Sequence, residues 1–170
     1  MKSKENLVFL GMMGSGKTSI GSIISRKLKI NFIDVDQEIE KKIGMKIHMI
    51  FRKEGEKYFR KIEEDLTLKT LKKNNTVISL GGGAFLNPKI KKQILENHIS
   101  FWLNWEITTL VDRIEKNQKR PIAFNSTRNE LIELIKKRSI VYSKAMYKIE
   151  CENLTKDQIA KNILKIYEAH

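Results

Sequence analysis

The sequence predicts an α/β fold, one parallel sheet with helices on both faces. Two observations predict it. Short, fully apolar runs alternate along the 170 residues with stretches of helical period, which is the pattern of strands buried on both faces and joined by helical crossovers. The octapeptide Gly11-Met12-Met13-Gly14-Ser15-Gly16-Lys17-Thr18 lies between the first such strand and the first such helix. It fits the phosphate-binding pattern G-x-x-x-x-G-K-[ST] at every fixed position, in the strand–loop–helix context that pattern requires.

The elements follow in order. Leu7–Leu10 reads as the first strand, and Ile20, Ile23, Ile24 and Leu28 share one face of the helix after the loop. Further strands are expected at residues 32–35, 77–80, 99–103 and 147–151. Asp36 is a candidate cap for a short helix ending at Gly44. Residues 45–73 form a helical block whose apolar set is Ile47, Ile50, Phe51, Phe59, Ile62 and Leu66. The block is too long for a simple crossover, so it reads as a substrate-binding subdomain. Asn87-Pro88 is a cap followed by proline at the first helical position. Thr155-x-x-Gln158 is a capping box opening a helix that buries Ile159, Ile163, Ile166 and Tyr167. Residues 117–129 carry polar residues, a proline and no helical period, between helical patterns at Ile107–Lys116 and 130–144. They read as a mobile flap holding an arginine.

Composition bounds the answer. The length suits one domain, residues 1–170. Apolar residues are 41% and charged residues 31% of the chain, ordinary for a soluble protein. No apolar run approaches a membrane span, and the first apolar stretch is too short and glycine-broken to read as a secretory signal, so a cytoplasmic protein without a membrane partner is expected. The single cysteine, Cys151, reads as packing, and His48, His98 and His170 have no metal-site spacing. The net charge of +13 raises nucleic-acid binding as one reading. Against it, the basic residues are mostly lysines in short pairs without interleaved aromatics, so no nucleic-acid partner is expected.

The phosphate loop and four further clusters carry chemistry. In the phosphate loop, inward amides, the helix N-terminus and Lys17 would hold a polyphosphate, with Thr18 helping to hold Mg²⁺. Asp34 and Asp36 flank Val35 at the carboxyl end of the second strand, where ligands of parallel sheets collect. One could organise Mg²⁺ and the other accept a proton from an attacking hydroxyl. The plainer reading makes them a strand terminator and a helix cap. Arg60 and Glu63, one helical turn apart, could form a surface ion pair, or Arg60 could grip a carboxylate. Gly81-Gly82-Gly83 ends the third strand, where something packs on bare backbone or the chain merely turns. In a chain that favours lysine, Arg26, Arg52, Arg60, Arg113, Arg120, Arg128 and Arg138 are candidates for planar, bidentate recognition.

Taken together, the phosphate loop, the D-V-D pair, Gly55-Glu56 with Phe59-Arg60 and Glu63, the triple glycine, Arg120-Pro121 and Arg138-x-x-x-Tyr142 resemble the shikimate kinase family. They come in that family's order over residues 7–145. The resemblance implies a P-loop NTPase fold of the nucleoside-monophosphate-kinase type, with a five-stranded parallel sheet in the order 2-3-1-4-5. It implies Mg²⁺-dependent transfer of the ATP γ-phosphoryl group to the 3-hydroxyl of shikimate, in aromatic amino acid biosynthesis; a monomer is expected. Residues 35–63 would be the shikimate-binding subdomain and 115–128 the lid. Lys17, Asp36 and Arg120 would be catalytic. Asp36, Phe51, Phe59, Arg60, Gly82, Gly83 and Arg138 would bind shikimate. Gly14, Ser15, Gly16, Lys17, Thr18, Ser19, Arg113 and Arg120 would bind ATP, with Arg113 stacked on adenine, and Thr18 and Asp34 would serve the metal. The family commonly has two leucines after the lid Arg-Pro, where this chain has Ile122-Ala123. Another small-molecule kinase of the same fold, gluconate- or nucleotide-type, and a nucleotide-dependent nucleic-acid-binding protein are the alternatives.

Overall fold

Five parallel strands form one sheet in the computed structural model, which describes residues 5–116 and 126–170. The strands are β1 (Leu7–Leu10), β2 (Asn31–Asp34), β3 (Thr76–Ser79), β4 (Ile99–Asn104) and β5 (Tyr147–Glu150). Their spatial order is β2-β3-β1-β4-β5. Leu7 stands opposite Val77 on one side and Ile99 on the other. Seven helices accompany them among the described residues: α1 (Lys17–Leu28), α2 (Val35–Ile43), α3 (Ile47–Leu71), α4 (Pro88–Asn97), α5 (Ile107–Lys116), α6 (Arg128–Tyr142) and α7 (Lys156–Ala169). A single 3₁₀ turn covers Ala84–Leu86.

The sheet has a core on each face because successive side chains of a strand point oppositely. Leu7 and Phe9 pack with Val77, Ile99, Phe101 and Leu103 against Ile20 and Ile24 of α1 and Ile159 and Ile163 of α7. Val8, Leu10, Ile78 and Leu80 pack on the other face with Ile39, Ile50, Ile90, Ile94, Val111 and Ile135. The fully apolar reading suits β1, β3 and β4. The edge strands β2 and β5 are only partly buried, since each has a neighbour on one side alone. Cys151 is fully buried, and burial pushes its thiol up to about 12, so it packs as a neutral side chain.

Two local expectations need correction. β2 ends a residue earlier than expected because Asp34, not Asp36, caps α2, accepting from the Gln37 amide at 3.2 Å. That leaves Asp36 in the first turn of α2. At the far side, Thr127 and Glu130 form a reciprocal capping box. α6 therefore starts at Arg128, and Arg128 sits on a helix, paired with Asp112 and Glu115, instead of in the loose segment. The other expected caps are present, at Asn87 and Thr155, and Gly44 ends α2 in the left-handed conformation. α3 is broken at Gly55, whose φ of 82° and ψ of 170° leave the helical region. The break separates the segment carrying Ile47, Ile50 and Phe51 from the one carrying Phe59, Arg60 and Glu63.

The end of the sheet remote from these loops is closed by Asn6. Its side-chain amide donates to the Leu71 and Lys73 carbonyls at 3.1 and 2.6 Å and accepts from the Thr76 amide at 3.1 Å. The Asn6 backbone N–H donates to Nδ1 of His98 at 3.4 Å. A buried Asn that spends both ends of its amide on backbone groups fixes where α3 hands over to β3.

Candidate functional site

The carboxyl ends of β1, β2 and β3 surround two adjoining clefts. The first is the phosphate loop. Gly14 and Gly16 take φ of 78° and 87°, a turn that other residues resist. Gly16 caps α1 without a side-chain hydrogen bond, and the first turn of α1 holds no acidic residue. The opening N–H groups and the positive end of that helix therefore face an anion site. Lys17 lies back over the loop, its Nζ donating to the Gly11 and Met12 carbonyls at 2.9 and 2.8 Å. Gly14, Gly16, Lys17, Thr18, Ser19, Asp34 and Asp36 line this cleft together with Ser79 and Leu80. Ser15 is buried beneath it. The Thr18 hydroxyl donates to Asp34 Oδ2 at 2.5 Å.

The second cleft encloses about 390 Å³ of non-atom space, part of it open to solvent. Met13, Ile47, Phe51 and Phe59 form its apolar part, and Asp36, Arg60, Glu63, Gly82, Gly83 and Arg138 its polar part. The Phe51 and Phe59 rings meet at 4.6 Å, and the Arg60 guanidinium lies 5.3 Å from the Phe59 centroid. Arg60 donates to Glu63 Oε2 at 2.7 Å and, at 3.2 Å, to the more exposed Glu56. Burial pushes the Glu63 carboxyl above its usual range, although Arg60 pulls the other way; nearby Asp36 adds to the rise. Arg138 is 6% exposed, and its Nε–H has no hydrogen-bond partner among the described residues. Its neighbour Tyr142, one turn on, donates to the Gly82 carbonyl. Burial raises the Tyr142 phenol to about 12, so it remains a donor.

The three glycines explain how so many charged groups reach one strand end. A Cβ at Gly81 would lie 2.6 Å from Asp36 Oδ1 and 2.7 Å from Glu63 Oε1. A Cβ at Gly83 would lie 2.9 Å from Cζ of Arg60. Bare backbone is the floor on which Asp36, Glu63 and Arg60 converge. The triple-glycine pattern gives ligand roles to Gly82 and Gly83 and none to Gly81, the glycine that makes room for the two carboxylates. Glu63 likewise reads from the sequence only as an ion-pair partner, although it is 3% exposed and lines the cleft. The signal available was its position one turn after Arg60 on the same helix face.

Most of the expected residues thus fall into two groups that meet at Asp36, which borders both clefts. Arg113 stands beside the phosphate loop, its guanidinium 3.8 Å above the Trp105 ring and its NH1 donating to the Gly14 carbonyl at 3.3 Å. Arg120 lies outside the described residues, as does most of the segment 115–128.

An anion-binding loop opening a helix, beside a second cleft that shares one carboxylate with it, is the plan of a P-loop kinase, a phosphotransferase acting on an alcohol group. A family model described as shikimate kinase matches residues 13–168. The chain belongs to the shikimate kinase family. A shikimate kinase of Thermodesulfovibrio yellowstonii is 38% identical over 165 residues, 96% of this chain and 95% of that one. Among solved structures, a shikimate kinase from Acinetobacter baumannii in complex with shikimate superposes with a TM-score of 0.92 at 29% identity, covering 99% of this chain and 95% of its own. A shikimate kinase from Aquifex aeolicus gives a TM-score of 0.84 at 32% identity over 96% of each chain. The gluconate- and nucleotide-type alternatives are thereby set aside.

Proposed function

We propose that the protein transfers the γ-phosphoryl group of ATP to the 3-hydroxyl of shikimate, as a monomeric cytoplasmic enzyme of aromatic amino acid biosynthesis. The observation that carries this reading is the position of Asp36. Of the residues lining the two clefts, it alone borders both, where an acceptor hydroxyl would meet the transferring phosphate. There its carboxylate orients the hydroxyl and takes its proton.

The geometry of the described residues supports the remaining roles, and the family resemblance alone supports that of Arg120. Lys17 leaves the Gly11 and Met12 carbonyls for the β- and γ-phosphates, which the loop amides also hold. Arg138 carries a buried N–H without a partner, a costly state that a substrate carboxylate relieves. Arg60 exchanges exposed Glu56 for the same carboxylate and keeps buried Glu63, so its fork stays aimed. Phe51 and Phe59 cover the apolar side of the ring, and Gly82 and Gly83 approach it with backbone. Residues 35–63 act as the acceptor-binding part. Within the lid at 115–128, Arg120 closes over the transferring group and excludes water. Arg113 offers a guanidinium face to adenine.

Thr18 and Asp34 place two hard oxygens 2.5 Å apart at the phosphate cleft. No cluster of three or more metal-type side chains occurs among the described residues. That donor set fits Mg²⁺, which takes one or two protein oxygens and fills its shell with phosphate and water. Bound there, Mg²⁺ offsets charge on the phosphates of ATP.

The test is a coupled assay of ADP release. Turnover should require both Mg²⁺ and shikimate, with phosphate found on the 3-hydroxyl. Robust turnover with gluconate or a nucleoside monophosphate, and none with shikimate, overturns the proposal.

A further inference from the structure

Trp105 lines neither cleft, yet it is tied to the phosphate loop twice. Its indole N–H donates to the Ser15 carbonyl at 2.9 Å, from 90 residues away in sequence. Its ring carries Arg113 at 3.8 Å, and Arg113 in turn donates to the Gly14 carbonyl at 3.3 Å. Two successive loop carbonyls are therefore held from outside the loop.

The consequence follows from peptide geometry. A trans peptide unit points its C=O and the next residue's N–H in opposite directions. Drawing the Ser15 carbonyl toward Trp105 turns the Gly16 N–H the other way, toward the cleft that Gly14, Gly16 and Lys17 line. The Gly14 carbonyl does the same for the Ser15 N–H, which turns in to the Met12 carbonyl at 3.2 Å. Gly16 cannot hold this orientation by itself. It has no side chain, its φ is 87°, and a Cβ there would touch nothing within 4 Å, so its peptide units have no steric restraint against rotation. α1 has no side-chain cap to do so either.

We infer that Trp105 is a positioning residue for the nucleotide, its indole N–H pinning the Ser15 carbonyl so that the loop amides stay aimed at the polyphosphate. The inference rests on the reading of the loop as the ATP site. It assigns to the residue just after β4 a share in nucleotide affinity that its place outside the cleft conceals.

The test is Trp105→Phe, which keeps a flat ring beneath Arg113 and removes the donor. Turnover of the unaltered protein with Mg·ATP checks the ATP reading itself. Given that turnover, the variant should raise KM for ATP about three- to tenfold, the usual worth of one neutral hydrogen bond. kcat and KM for shikimate should change less than about twofold. Inorganic tripolyphosphate, which carries no base, should bind more weakly by the same factor as ATP. An unchanged KM for ATP overturns the inference. So does a loss seen with ATP but not with tripolyphosphate, which would put the effect on the base through Arg113. Equal losses in ATP and shikimate would make Trp105 a support of the fold and overturn it as well. A readout without mutation is the ¹⁵N-labelled indole of the unaltered protein, with Trp102 as reference. The Trp105 N–H should be slow to exchange with solvent and should shift when tripolyphosphate binds. Fast exchange in the bound state contradicts the pin.

Discussion

Two glycine-rich segments end the neighbouring strands β1 and β3, and they require glycine for opposite reasons. In the phosphate loop the requirement is torsional. Gly16 has a φ of 87° and open space where a Cβ would stand. In the triple glycine the backbone is ordinary, with none of the three at positive φ, and the requirement is volume. A Cβ at Gly81 would collide with Asp36 and Glu63, and one at Gly83 with Arg60. The first segment exposes backbone to a ligand. The second exposes backbone to the protein's own charged side chains, so that two carboxylates and a guanidinium gather at one strand end. The proposed nucleotide side is thus built from main chain and the proposed acceptor side from side chains standing on main chain. Substitutions should separate the two.

The largest effect is expected where the two sides meet. Asp36→Asn should lower kcat by about two to four decades, the usual worth of a positioned general base, with KM for each substrate within a few-fold and the protein folded. Steady-state kinetics with circular dichroism checks this. Near-normal kcat would reduce Asp36 to an element of the helix start.

Next comes the acceptor side alone. Arg138→Lys keeps the charge but not the parallel donors of a guanidinium. A lost charge-assisted hydrogen bond is worth about 1.5–3 kcal/mol, so KM for shikimate should rise by about one to two decades with KM for ATP unchanged. Varying each substrate in turn tests it. By contrast, if Arg120 is the lid arginine proposed above, Arg120→Lys should act mainly on kcat, since that role is exerted on the transition state. A loss of ATP affinity equal to that of shikimate in Arg138→Lys would mean that the arginine serves both clefts.

The smallest effect lies at the opposite end of the sheet, where neither substrate reaches. Burial holds the His98 imidazole below its usual range, against an opposing pull from Glu5. The unfolded chain therefore binds the proton more readily than the folded one. Stability from this site is present above the unfolded value, about 6.5, and is lost as pH falls below it. Between pH 7.5 and 5.5, Tm of the unaltered protein should fall more than Tm of His98→Gln, while KM values of the two agree. Parallel Tm curves would remove His98 from the balance.

Much of this architecture was legible because local signals agreed with the tertiary outcome. The octapeptide lies between Leu7–Leu10 and Lys17–Leu28 as its pattern demands, and Asn87, Thr155 and Gly44 cap where their residue types say they should. Errors arose where two residues competed for one job. Asp34 and Asp36 are both good caps two positions apart, and only the end of the pairing between β2 and β3 decides between them. The start of α6 was missed because Thr127-x-x-Glu130 sits in a polar stretch without an apolar period to announce a helix. Gly81 and Trp105 were illegible for another reason. Their importance lies in contacts with Asp36, Glu63 and Ser15 that only the folded sheet creates. The resemblance supplied the strand order and the pairing of Arg60 with Arg138, which no local pattern carries.

The most direct test of two separately built clefts is calorimetric titration of Gly81→Ala and Gly16→Ala, each with shikimate and with Mg·ADP. A methyl 2.6 Å from a carboxylate oxygen at Gly81 must displace the carboxylate of Asp36 or Glu63, both of which line the acceptor cleft. Gly81→Ala should therefore weaken shikimate binding about tenfold or more and leave Mg·ADP close to its unaltered affinity. Gly16→Ala, strained at φ 87°, should do the reverse. If each variant weakens both ligands alike, the clefts are not independent and the division at Asp36 is wrong.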